Sequence, residues 1–193
     1  MTELIAHLES YLGAISGGTG GDESTPAGLQ VVWFGANRPY TGVTTIATLG
    51  LSRHHLAQSA SRGVHQELLM HLPMAGQPRK AAALLLQVAA ELIAQGRGLL
   101  RGEVIGPRGP LFGSGQMTAL YAAAPGYLAP GFDTCDIGTV TVVMTWLVPI
   151  TDTEAGYVRT RGWPTFEETL IAEDPDLVDL SRSPVTAARD LGG

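Results

Sequence analysis

The segment Thr139–Val148 constrains the fold more than any other part of the chain. Val140, Val142, Met144, Trp146 and Val148 alternate onto one face, while Thr139, Thr141 and Thr145 take the other. This period of two, rich in β-branched residues, predicts a strand that Pro149 ends. Thr151-Asp152-Thr153-Glu154 follows at once. That spacing is a capping box: the threonine hydroxyl takes one orphan amide of the first helical turn and the glutamate reaches back to another. A helix is therefore predicted from about Asp152 to Arg161. Elsewhere strands and helices mix without strict βαβ alternation, so the expected class is α+β, in a single domain, and not a doubly wound sheet.

The other elements are read in the same way. Leu4, Ile5, Leu8, Tyr11, Leu12 and Ile15 follow helical spacing. Gly17–Pro26 is expected to be a turn-rich loop. Leu29–Phe34 and Val43–Leu49 read as strands. Val64–Leu72 alternates, with His65, Glu67, Leu69 and His71 on one face, and predicts a half-exposed strand. Pro78 opens a long helix that ends at Gly96; its wide apolar stripe calls for cover by the sheet. Gly102–Phe132 is rich in Gly and Pro, with short strands expected near Glu103–Ile105 and Met117–Tyr121. Thr165 and Glu168 repeat the capping pattern before Leu170 and Ile171, which predicts a second short helix.

The chain has 193 residues and one cysteine, Cys135. A domain of this length buries about 70% of its unfolded surface and needs no covalent staple. A lone cysteine makes no internal disulfide and suits a reducing cytosol. The N-terminus carries acid where a secretory signal needs Lys or Arg. The longest uncharged stretch, Gly109–Phe132, is broken by Pro110, Pro125 and Pro130, so no membrane span is expected. Twelve basic residues stand against eighteen acidic ones, for a formal net charge of −6. Nucleic-acid binding draws on Lys and Arg against phosphate, so it is not expected. Glu167, Glu168, Glu173, Asp174, Asp176 and Asp179 lie between Thr165 and Leu180 with no base among them. That segment is either a solvated face or an anionic patch that steers a basic partner.

Tests for catalytic chemistry find little. On a regular strand His65 and Glu67 sit about 7 Å apart, and His71 lies about 13 Å beyond Glu67, so the three do not converge on one ion. His65-Gln66-Glu67 matches half of a zinc deaminase signature, but the P-C-x-x-C half is missing. Asp133 and Asp136 flank Cys135 and would raise its pKa, which argues against a nucleophile. The glycines of Gly17–Gly21 are followed by no lysine, so no phosphate loop is present, and Gly113-Ser114-Gly115 lacks the outer glycines of a nucleophile elbow. No catalytic residue, metal site or cofactor is predicted.

Six segments carry a family likeness: Thr41–Ser52, Glu67–Pro73, Gly102–Phe112, Met117–Leu128, Trp146–Glu154 and Gly162–Arg182. Taken in order, they resemble the suppressor-of-fused (SUFU) domain of bacterial proteins. The resemblance implies a mixed, mainly antiparallel sheet packed by about four helices. It implies a SUFU-like domain over residues 1–182; the weakly patterned segment 183–193 beyond it is expected to be a weakly ordered tail. The animal protein of this name has a second domain, which a chain of this length does not accommodate. That protein grips a short peptide as an added strand without being an enzyme, and uses both domains, so its gripping residues do not transfer.

The expected function is therefore a non-enzymatic, cytoplasmic protein-binding module. Its most specific form, implied by the bacterial relatives, is an immunity protein that neutralises a partner toxin. The alternatives are a regulatory or structural protein acting as a homodimer, and a metal-dependent hydrolase. One-to-one binding without turnover marks the first, a dimer at micromolar concentration the second, and a ligated ion the third. Two groups are candidate partner-binding residues: the aromatics Phe112, Tyr121, Tyr127 and Phe132, and the acids Glu167, Glu168, Asp174 and Asp176.

Overall fold

The computed structural model describes residues 2–23, 25–35, 37–59, 62–74, 78–185 and 187. The architecture is α+β, with four helices and a nine-stranded mixed sheet that is mainly antiparallel. The chain forms two compact units, each assembled from separate segments: Met1–Leu99 with Ala124–Trp146, and Leu100–Ala123 with Leu147–Gly193. Among the described residues no helix is long and apolar enough to cross a membrane. The expected tail falls mostly on residues 186 and 188–193, outside the described ones.

In the first unit α1 (Thr2–Leu12) leads into β1 (Ile15–Gly20), β2 (Gln30–Phe34) and β3 (Val43–Leu49). A single 3-10 turn at Leu51–Arg53 precedes β4 (Leu56–Ser59) and β5 (Arg62–Pro73). Next come α2 (Pro78–Gln95) and, after the segment assigned to the other unit, β8 (Thr134–Ile137) and β9 (Val140–Thr151). The strand order is β1-β2-β3-β5-β9, with β4 on β5 and β8 on β9. Strands β5 and β9 pair in parallel, from His65↔Val142 to Leu69↔Trp146. Pro149 lies beyond that register, so its missing N–H interrupts none of it and β9 runs on to Thr151.

Helices cover both faces of this sheet. The apolar stripe of α1 (Leu4, Leu8 and Leu12) packs with Val32, Phe34, Ala47, Leu49, Leu69, Val142 and Met144. The wider stripe of α2 (Ala81, Leu85, Val88 and Leu92) lies on β2, β3 and β5. Strand β5 is thus covered twice, and its central residues are buried on both faces. This corrects the half-exposed strand expected from the alternation. Its polar residues are satisfied inside the protein.

Strand β1 also corrects the expectation. Gly17–Gly20 forms no loop; it pairs antiparallel with β2 from Gly17↔Trp33 to Gly20↔Gln30, after an irregularity between Ile15 and Gly17. Glycine disfavours strands, and β2 supplies the template. The Trp33 indole lies so close over Gly17 that a Cβ there would fall 2.5 Å from Nε1.

The second unit holds β6 (Val104–Ile105), β7 (Met117–Ala123), the end of β9, α3 (Asp152–Arg161) and α4 (Trp163–Glu173). Thr151 caps α3 as expected: Glu154 N–H donates to Thr151 Oγ1 at 3.2 Å, and Thr151 N–H donates to Glu154 Oε2 at 2.9 Å. Helix α4 begins at Trp163, not after Thr165. Gly162 is its N-cap and makes no side-chain cap bond, and Pro164 sits in the first turn. Phe166 is the buried anchor of α4, with Tyr121 edge-on at 5.1 Å between ring centroids.

Candidate protein-binding surfaces

The polar residues of β5 do not gather into a site. Glu67 is 1% exposed and accepts four hydrogen bonds. Thr48 Oγ1 donates to Oε2 at 2.6 Å; Gly50 N–H, Ser52 N–H and Ser52 Oγ donate to Oε1 at 2.9, 3.1 and 2.7 Å. Burial raises its carboxyl above the ordinary 4.5, against the pull of those donors. Glu67 therefore ties the 50–52 turn to the sheet. His65 is drawn the same way, with Nδ1 2.7 Å from the Ser52 carbonyl. Gln66 donates to the Leu99 carbonyl at 3.0 Å and accepts from Leu99 N–H at 3.0 Å.

His71 lies deep in a second network. Its Nδ1 is 2.8 Å from Thr45 Oγ1, which donates on to the Arg38 carbonyl at 3.2 Å. Its Nε2 meets the Tyr127 hydroxyl. The consistent proton order is Tyr127 O–H to Nε2, Nδ1–H to Thr45, and Thr45 O–H to Arg38, which requires neutral imidazole. Burial lowers the His71 pKa from 6.5 to about 3 and raises that of Tyr127. Burial first, then Asp136, raises the Cys135 thiol.

The expected aromatic group divides between the two units. Tyr127 packs on Trp146 at 4.5 Å between centroids and is half-buried. Phe132 is buried between His7 and Tyr11. In the other unit Tyr121 is buried, and its hydroxyl donates to Glu167 Oε1 at 2.9 Å; Phe112 is half-buried. Tyr121 and Phe132 are core, so neither ring is offered to a partner. Of the acids, Glu168, Asp174 and Asp176 are exposed, whereas Glu167 is half-buried and paired with Arg101.

Two surfaces escaped the sequence reading. The first is in the larger unit, where β1 ends the strand order. Its outer edge pairs with no strand among the described residues. Gly18 pairs with Val32 and Gly20 with Gln30, on the α1 side of the sheet, so the space under α2 meets Thr19 and bare backbone on β1. A groove of about 1010 Å³ results, lined by Gly18, Thr19, Gly20 and Trp33 on the strand side. Ala83, Leu86, Gln87, Ala90 and Ala94 line the helix side, with Asp22, Arg79 and Glu91 at the rim. An apolar floor with a polar rim and a free row of backbone donors and acceptors is what an extended peptide needs. The second surface is an exposed stripe on α4, where Trp163 and Ile171 share a side of the helix. The Trp163…Glu167…Ile171 spacing of four was visible in the sequence and would have revealed it.

Several solved structures share this fold. A SUFU homolog from Neisseria gonorrhoeae superposes with a TM-score of 0.75 at 16% identity, covering 95% of this chain and 94% of that one. A crystal structure of a Sufu–Fu complex matches with a TM-score of 0.69 at 19% identity, covering 98% and 92%. Drosophila Suppressor of Fused matches with a TM-score of 0.66 at 19% identity; the chain covers 49% of its length and 95% of its own. At these identities the likeness is one of fold. No curated protein matches the chain. The family model for suppressor of fused protein matches residues 25–183, most of the sequence, and so the chain belongs to the SUFU family.

Proposed function

We propose that this chain is a non-enzymatic protein-binding module that takes an extended segment of a partner against β1, in the groove beneath α2. The observation that carries the reading is the unpaired, glycine-rich edge beside a groove of about 1010 Å³. Added strands gain affinity from main-chain hydrogen bonds and specificity from pockets for alternate side chains. One structure sharing the fold was solved as a Sufu–Fu complex, which supports the same class of role here. In its finer form the partner is a toxin domain and the chain its immunity protein. The net charge of −6 favours a basic partner, since opposite charge speeds encounter.

Thr19→Arg tests the reading. Thr19 is half-buried, pairs with Val31 on the α2 side of the sheet and lines the groove, so an arginine there reaches into the groove from an edge strand and leaves the core in place. A partner purified with the chain from its native cells should bind the parent one-to-one, unaltered, and lose the variant. Equal binding of both chains, or chemical conversion of the partner, contradicts the proposal.

A further inference from the structure

Among the described residues of the second unit, three large apolar side chains are exposed. Trp163 is 37% exposed, Leu100 42% and Ile171 80%. Single exposed apolar residues are ordinary. Here two of them share one side of a helix, since Trp163, Glu167 and Ile171 follow at i, i+4 and i+8, a stripe about 12 Å long at 1.5 Å per residue. Leu100 adjoins Arg101, whose guanidinium lies 5.0 Å from the Trp163 ring centroid.

The indole is held before any partner arrives. It packs against Gly102 so tightly that a Cβ there would overlap the ring. Arg101 is fixed in turn, with Nε donating to Glu167 Oε1 at 3.0 Å and Nη2 meeting Oε2. Glu167 is anchored from below by the Tyr121 hydroxyl at 2.9 Å. Binding anchors are commonly Trp and Arg, and a pre-ordered anchor loses little entropy on association.

Charge identifies the occupant. The one cation of the stripe, Arg101, is matched by Glu167. Exposed Glu168 lies beside the stripe and Asp174 at its end, where φ of 43 closes the helix. Asp176 and Asp179 follow, with no Lys or Arg from Pro164 to Leu180. We infer that the Trp163–Ile171 face of α4 docks a segment of a partner polypeptide whose bulky apolar side chains are flanked by Lys or Arg. This rests on the reading of the chain as a protein-binding module, and it concerns a surface other than β1.

The probe is a synthetic 14-residue amphipathic peptide of Leu and Lys, with a Leu and Glu counterpart, titrated into the ¹⁵N-labelled full chain. With the Lys peptide, the Trp163 indole N–H and the α4 amides should shift; with the Glu peptide they should not. Ile171→Ser, at a position 80% exposed, should weaken the Lys peptide about tenfold, as loss of one anchor does. Glu168→Lys with Asp174→Lys should weaken it by at least as much. Thr19→Arg should change nothing. The inference is overturned if α4 stays silent, if both peptides shift it alike, or if the α4 variants bind as the parent does. Shifts confined to β1 and α2 would also overturn it while favouring the edge-strand proposal, which Thr19→Arg tests separately.

Discussion

Removing Glu67 should cost far more than its single charge suggests. In Glu67→Ala the Gly50 and Ser52 amides lose the acceptor they share, Glu67 Oε1. The Thr48 and Ser52 hydroxyls can turn elsewhere, but backbone amides in a buried turn cannot. Each buried donor left unmade costs about 1–3 kcal/mol, so the two amides alone give roughly 2–6 kcal/mol by the same rule, before any cavity. The expected loss is about 4 kcal/mol. For a chain of this length that lowers Tm by about 10 °C. Glu67→Gln keeps an oxygen for the three donors at Oε1, and should cost only about 1 kcal/mol.

The pH dependence separates charge from hydrogen bonding. The folded carboxyl is raised above 4.5 by burial. Folded protein thus holds the proton at pH values where the unfolded chain has lost it. The contribution is full below about pH 4.5 and is lost as pH rises through the folded value. Glutamine cannot lose a proton, so the stability of the parent relative to Glu67→Gln should fall with rising pH. Urea unfolding of parent, Gln and Ala chains from pH 4 to 8, followed by circular dichroism, measures both effects. A parent that gains on Glu67→Gln as pH rises, or an Ala variant within 1 kcal/mol of the parent, would falsify this reasoning.

Further predictions follow from the same structure. His71 should stay neutral in the folded chain down to about pH 3. The unfolded chain takes up that proton below about 6.5, so this contribution is full above 6.5 and fades as pH falls; an imidazole NMR midpoint near 6.5 for His71 would contradict it. Arg182→Met leaves Glu154, which is 0% exposed, without its cation. Breaking such a pair should cost about 3–5 kcal/mol in urea unfolding, and a cost below 1 kcal/mol would show the pair to be idle. Gly17→Val must displace Trp33 and should cost about 1–3 kcal/mol, read as a shifted Trp33 indole N–H; an unmoved signal counts against the close approach.

What the sequence revealed depended on whether side-chain period and burial agree. They agree in α2, and the Thr151–Glu154 box marked the start of α3 to the residue. They disagree in β5, where Gln66, Glu67 and His71 look like an exposed alternation yet meet internal partners. Period cannot tell a solvated carboxylate from one that ties down a turn. Strand β1 was hidden because glycine carries no β signal and its pairing is dictated by β2. Strand β4 went unread, as did β8, whose Asp136 and adjoining Gly138 read as turn residues. Two of the aromatics chosen as anchors, Tyr121 and Phe132, are buried, as in the long-range contact of Tyr121 with Phe166. Trp163, which is exposed, was masked by the acids around it.

The central claim is that β1 receives a partner's backbone. The most direct measurement is hydrogen–deuterium exchange of the full chain, with and without a polypeptide partner purified with it from its native cells. Exchange across Ser16–Gly20 should slow severalfold on binding, because free edge amides become paired. Unchanged exchange there in a saturated complex would show that the edge strand takes no part in recognition.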